Sequence, residues 1–293
     1  MRSFALFFLY IVGAYGVAAL LSVGLAEVVT EIPQNKLISR GGLLLAVLGF
    51  WPFLKWLRLT GKSNLGYQLP AAQFWKRLAL GWVFGVVILI CLTAALLLLE
   101  IRIVNGPAYF PEPIKIILQG LLAGLAVAFI EETFFRGAMF QAIRRNGGGI
   151  FAALTLTSLL YAALHFFKPQ ALPPDSAPSF ANAITAYLSA FEHLFQLSHL
   201  DSFAALFLVG LFLALVRWRT GHIGWSIGLH AGWVLVIKLT HGYTHLDETA
   251  PMSFLVGSYD DVIGWLAAGW IGVLCLIPLL WPGRRSTRIE GAA

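Results

Sequence analysis

Charge is scarce in this sequence. Asp, Glu, Lys and Arg make up only 12% of its 293 residues, about half the roughly 25% of a soluble globular domain. Hydrophobic residues make up 59% and the mean hydropathy is +0.80. A soluble fold cannot hide that much apolar surface from water, whereas a bilayer can, so the composition excludes a soluble globule and selects a membrane protein. Cysteine is almost as scarce. Cys91 and Cys275 both lie in apolar runs, where a thiol acts as a small hydrophobe, so neither a disulfide framework nor a Cys-based metal site is expected. A second soluble domain, a low-complexity tract and an internal repeat are also missing, and the last counts against an inverted-repeat transporter. The apolar run that begins at Phe4 exceeds a signal-peptide core and no clear A-x-A site follows it, so it is expected to be retained as the first membrane helix.

Long apolar runs are plentiful. A spanning helix needs about 20 apolar residues, and eight stretches qualify: Phe4–Val29, Gly41–Leu57, Leu78–Leu99, Ile116–Met139, Ile150–Phe167, Phe203–Trp218, Ile223–Leu239 and Val262–Trp281. The expected fold is all-α, a polytopic bundle of about eight transmembrane helices forming a single integral membrane domain over residues 1–293. Pro33, Pro107, Pro111, Pro113, Pro173 and Pro174 fall between runs, where a missing amide hydrogen costs little. Fourteen of the twenty lysines and arginines fall on one side of this layout, among them Arg58, Arg144, Arg145, Arg284, Arg285 and Arg288. The positive-inside rule then puts both termini in the cytoplasm. The net charge of +6 follows from topology and implies no nucleic-acid partner. Two loop segments read as interfacial: Ala71–Arg77, with Phe74 and Trp75, and the apolar stripe Ile184, Tyr187, Leu188, Phe191, Leu194 and Phe195.

Against this background a few ionisable residues stand out. The fourth run contains Glu131, Glu132 and Arg136, although each charge inside a bilayer costs on the order of 2.5–3.5 kcal/mol. Glu132 and Arg136 share a helix face four residues apart, with the acid N-terminal, and are expected to pair. Glu131 is rotated about 100° away and faces Phe135 at that spacing, so its partner must come from another helix. His165 in the fifth run and His230 in the seventh are the candidates. At 1.5 Å per residue, Glu131 and His165 each lie about 22 Å from the cytoplasmic end of their helices, and His230 about 12 Å. One site in a common cavity is expected.

At these residues the sequence resembles the CAAX prenyl endopeptidase family and its bacterial branch, the CPBP or Abi proteins. That family's pattern is E-E-x-x-x-R, then F-x-x-x-H, then H-x-x-x-N on successive helices. The first is complete as Glu131, Glu132 and Arg136. The second is present as Tyr161 to His165, with tyrosine for phenylalanine. The third is present only as His230, because Val234 stands in the asparagine position. The resemblance covers a catalytic core over residues 116–239. It implies an intramembrane endopeptidase that hydrolyses a peptide bond of a membrane-associated protein, with Glu131 activating water, His165 orienting it and His230 stabilising the oxyanion, while Glu132 and Arg136 support the site. The partners expected are a peptide or membrane-anchored protein and the lipid bilayer. One carboxylate and two histidines also suit zinc, but no H-E-x-x-H helix is present, so a metal-free mechanism without cofactor is favoured. His241, His245, Asp247 and Glu248 are read as a solvated outer loop. The alternatives are a non-catalytic immunity or regulatory protein on the same fold, which Val234 favours, and a transporter using Glu131 as an ion site. A bacterial inner membrane is the expected location.

Overall fold

The computed structural model describes residues 1–173 and 176–280; Pro174, Trp281, Arg284, Arg285 and Arg288 lie outside them. The fold is all-α apart from one small ribbon. Its principal helices are α1 (Arg2–Val28), α2 (Gln34–Trp56), α3 (Lys62–Leu65), α4 (Ala71–Leu98), α5 (Pro113–Glu132), α6 (Phe140–Arg145), α7 (Ile150–Phe166), α8 (Phe180–Leu194), α9 (Leu200–Thr220), α10 (Gly224–Tyr243) and α11 (Trp265–Leu280). Among the described residues five helical rods are long and apolar enough to cross a membrane: α1, α2, α4, the combined α5–α6 rod and α9. The apolar helices α7 and α11 are shorter, at 17 and 16 residues. Leu20, Leu44, Val87 and Leu122 are exposed on the long helices, as expected of side chains that meet lipid tails instead of water. The chain is an integral, multi-pass membrane protein.

Helix α10 is the axis of the bundle and packs between α4 and α5. Its composition is less apolar than its depth suggests, because it spends Gly224, Gly228 and Gly232 on close approach at four-residue spacing. Gly81 and Gly85 answer from α4, and Gly120 and Gly124 from α5. A Cβ at Gly81 would stand 2.6 Å from the Trp225 carbonyl oxygen, and one at Gly124 2.7 Å from that of Ala231. Small residues at this spacing let helix backbones touch, which is how helices associate where the hydrophobic effect gives no help. The contact fixes the rotation of α10, and with it the direction of His230.

The helices α1 and α2 form a pair that joins the rest through aromatic rings. Phe7 meets Phe134 edge-on at 5.2 Å and Phe53 at 5.1 Å, and Phe53 stacks on Tyr10 at 4.2 Å. Tyr10 donates its hydroxyl hydrogen to the Ala46 carbonyl, locking α1 to α2. Helix α8 lies across this pair. The face it buries is Ala183, Ala186 and Ala190, while Ile184 and Leu188 point outward; the alanines permit close packing that the larger side chains would block. Ala71–Arg77 is no separate interfacial segment. It forms the first turns of α4, with Phe74 buried and Trp75 exposed.

A two-stranded ribbon escaped the sequence reading. β1 (Arg102–Val104) pairs antiparallel with β2 (Thr244–Leu246), with Arg102 opposite Leu246. Three-residue strands carry too little periodicity to read. Arg102 is buried at the ribbon, donating to Thr244 Oγ1 at 2.7 Å and to the Asp261 carbonyl at 2.8 Å.

At the opposite end, His222 occupies the turn between α9 and α10. Its Nδ1 accepts the Gly224 amide hydrogen at 3.2 Å, which requires that nitrogen to be unprotonated. Burial, reinforced by the Arg217 and Arg77 cations, holds its pKa down to about 4. An unfolded histidine titrates near 6.5, so the stability due to neutral His222 is complete above about pH 6.5 and is lost as pH falls toward about 4. Detergent-solubilised protein is expected to melt several degrees lower at pH 4.5 than at pH 7, and His222→Gln to flatten that difference. Equal pH slopes in the two proteins would remove His222 from this account.

Candidate active site

The site grows from the point where α5 stops being an α-helix. After Glu132 the chain takes a wide π-type course over Thr133–Met139 before α6 resumes, where the sequence reading expects one regular helix to Met139. Such turns insert an extra residue into the helical spiral and concentrate at functional sites. Phe134 through Met139 are all buried. Gly137 lies against the backbone of Leu65, where a Cβ would stand 2.8 Å from the carbonyl oxygen. Lys62–Leu65 forms the short helix α3, and Tyr67 beyond it bonds Thr133 Oγ1 at 2.6 Å, so the segment between α2 and α4 reaches in and holds the widened turn.

Glu132 and Arg136 pair as their spacing predicts. Both are fully buried, with Nη1 of Arg136 2.9 Å from Oε1 of Glu132. Nη2 donates to the Gly210 carbonyl at 3.0 Å, and the guanidinium lies 4.5 Å from the Tyr161 ring centroid. The same Glu132 oxygen receives a second bond, from Nδ1 of His230 at 3.0 Å. A carboxylate already paired with a guanidinium is an acceptor, so Nδ1 carries the hydrogen. In the neutral ring the lone pair is therefore on Nε2, and Nε2 faces Glu131, with 3.9 Å between it and Oε2. The partner for Glu131 comes from α10, at a distance where no direct hydrogen bond exists.

Glu131 is half-buried, with 29% of its side chain exposed. Its Oε2 is buried and without a hydrogen-bond partner among the described residues. It lines a cavity of about 480 Å³ between α1–α2 on one side and α5 and α7 on the other, walled by Leu43, Val47, Phe50, Phe134 and Leu164. His230 and Val234 line a second cavity of about 190 Å³. Tyr161, His165 and Tyr259 line both. His165 is held by a bond from Nδ1 to the Tyr161 carbonyl at 2.8 Å. A carbonyl only accepts, so His165 Nδ1 also carries its hydrogen and Nε2 is the free lone pair.

Some groups at the site were not legible as such. Tyr259 lies in the loop before α11, far along the chain. Lys168 sits 4.3 Å over its ring, and burial raises the hydroxyl pKa well above its ordinary value, so it stays protonated. Asp260 beside it accepts the amide hydrogens of Val262 and Ile263, which fixes the loop. The outer-loop cluster serves structure: His245 bonds Asn105, His241 bonds the Asp260 carbonyl, and Asp247 caps Thr249. Among the described residues no three His, Cys, Asp or Glu side chains converge closely enough to share a metal ion.

Residues 113–236 match the family described as "Rce1-like: Type II CAAX prenyl endopeptidase Rce1-like". Comparison with curated proteins and with solved structures finds no match. The matched stretch runs from the start of α5 to within α10 and contains Glu131, Glu132, Arg136, His165 and His230.

The Glu132–Arg136 pair gives a direct test. Removing one partner strands the other charge in a fully buried place, at a cost of about 3–5 kcal/mol. Arg136→Met is expected to lower the melting temperature sharply in detergent. The double variant Glu132→Gln/Arg136→Met, which removes both charges, is expected to lose less than the single. A double that loses as much would show that the charges do not compensate one another.

Proposed function

We propose that this chain is an intramembrane endopeptidase in which Glu131 activates water for attack on a peptide bond. One observation carries the reading: the buried, unpartnered Glu131 oxygen faces a histidine nitrogen 3.9 Å away on the wall of an apolar cavity. A gap of that size suits a shared water better than a direct bond. An uncompensated carboxylate at such depth is costly, and the Arg136 guanidinium on the same helix already pairs with Glu132 instead.

In this mechanism water donates one hydrogen to Glu131 and the other to an Nε2 lone pair, of His230 or of His165, which orients it. General-base assistance of this kind contributes about 10²–10⁴ in rate. Glu132 and Arg136 do not react; they hold the tautomer of His230 and the width of the turn. The chemistry proposed needs no metal and no cofactor. The substrate class is a protein or peptide held at the membrane, because the cavity wall is mostly apolar side chains. The topology proposed counts α7, α10 and α11 as spans beside the five long rods, with both termini in the cytoplasm and the host membrane a bacterial inner membrane.

Val234 supports a second reading, a non-catalytic immunity or regulatory protein on the same fold, since it leaves an apolar side chain in the asparagine position of the family pattern. The two readings separate on Glu131. Protein termini are compared by mass spectrometry in cells expressing the wild-type chain or Glu131→Gln at matched membrane levels. New termini are expected with wild type alone, and purified Glu131→Gln is expected to lose at least about 10²-fold in cleavage rate. Identical terminus profiles would overturn the protease reading in favour of the binding protein.

A further inference from the structure

The proposed hydrolysis needs a hydrogen-bond donor, and the three groups named so far do not bring one. Attack on a carbonyl carbon moves charge onto its oxygen, and donors aimed at that oxygen are usually the largest single catalytic contribution. Glu131 is an acceptor. His165 has spent its Nδ1–H on the Tyr161 carbonyl, and His230 its Nδ1–H on Glu132. Both present lone pairs to the cavities. Such a set is well suited to taking a proton from water and poorly suited to holding an oxyanion. The asparagine amide expected from the family pattern is replaced by Val234, which lines the smaller cavity and offers no donor.

One side chain at the junction of the two cavities can fill the role. Tyr161 is only 2% exposed and lines both of them. Its ring is held on four sides: by the Arg136 guanidinium at 4.5 Å, Phe135 at 5.4 Å, His165 at 4.6 Å and His230 at 6.2 Å. Its backbone carbonyl orients His165. Its hydroxyl has no hydrogen-bond partner among the described residues, and it is not one of the sealed-off polar atoms of the core. A buried hydroxyl normally finds a partner, and here the space beside it is the cavity. Tyr161 is also the position at which this sequence carries a hydroxyl where the resembled pattern has a phenylalanine.

We infer that the Tyr161 hydroxyl is a catalytic residue of this chain, donating its hydrogen bond to the carbonyl oxygen of the scissile peptide in place of the amide absent at Val234. The inference rests on the protease reading. Water gives a proton to Glu131 as its oxygen bonds to the carbonyl carbon, and the carbonyl π pair moves to the oxygen, which accepts from Tyr161 Oη–H. When the intermediate collapses, that pair reforms the carbonyl, the C–N bond breaks, and the proton on Glu131 passes to the departing nitrogen. Tyr161 keeps its own proton throughout.

Two neighbouring donors compete for the role. Trp233 Nε1 is also unpartnered, but it is sealed in the core and its residue lines only the smaller cavity. Tyr259 lines both cavities but hangs from a loop, with Lys168 and the rings of His165 and Phe166 against it. Tyr161 has the fixed position that a preorganised donor requires.

The test uses the full chain in lipid nanodiscs and a peptide spanning the cut site found by the terminus comparison. Tyr161→Phe keeps the ring on Arg136 and is expected to leave the melting temperature unchanged. It is expected to lower kcat about 10²–10³-fold with little change in KM. Adding Val234→Asn to Tyr161→Phe is expected to restore at least tenfold, because the amide returns a donor to the same cavity. Trp233→Phe and Tyr259→Phe are expected to retain most activity. A Tyr161→Phe enzyme with wild-type kcat, beside an inactive Glu131→Gln, would overturn this inference and leave the protease reading intact. A large loss in Tyr259→Phe or Trp233→Phe instead would move the role to that residue. If no wild-type terminus appears in cells, the protease reading fails and the role of Tyr161 fails with it.

Discussion

Glu132 is the group on which the interior of this protein is arranged. One of its oxygens takes a hydrogen bond from Arg136 and another from His230, joining α5, the widened turn and α10 at a single atom. Arg136 extends the connection to α9 through the Gly210 carbonyl. A buried ion pair contributes little net stability over apolar packing, but breaking one is costly. What it supplies here is direction. The tautomer of His230 and the placement of Tyr161 over the guanidinium both follow from charges that cannot be left alone in a bilayer.

That arrangement also explains how adjacent glutamates come to differ. Glu132 is consumed by structure and Glu131 is spared from it, one residue and about 100° apart. The division depends on the surrounding apolar shell. Phe134, on the far side of the turn, is clamped by Phe7 and Phe50, so the first two helices press on the site although they carry none of its chemistry. The close glycine contacts of α10 act from the other side. A helix held by backbone contact has little rotational freedom, and a histidine on it keeps its aim.

Much of this was legible in the sequence because charge is so conspicuous in an apolar chain. The long helices, the Glu132–Arg136 pair and the need of Glu131 for a partner on another helix follow from spacing and cost alone. The glycines of α10 at 224, 228 and 232, with those at 81, 85, 120 and 124, were equally available, and their spacing marks α10 as the packing axis. The π-type course after Glu132 was not legible, since it depends on Leu65 reaching in from a loop. Tyr259 was not legible either, because only the folded chain brings residue 259 beside residue 165. The stripe on α8 was legible as amphipathic, but the face it buries, Ala183, Ala186 and Ala190, was not, because small side chains carry little hydrophobic signal.

The small ribbon of β1 and β2 stands at an informative place. Its strands lie just outside the stretch from Pro113 to Tyr243, so the polypeptide leaves the ribbon, builds α5 through α10, and returns to the same point. A segment whose two ends meet has the topology of an inserted domain, and such segments tolerate transfer between hosts because excision leaves only a short gap. The chain can be viewed as a four-helix carrier of α1, α2, α4 and α11, interrupted by an insert that the ribbon pinches shut. The family match, from residue 113 to residue 236, begins where that insert begins and ends within its last helix.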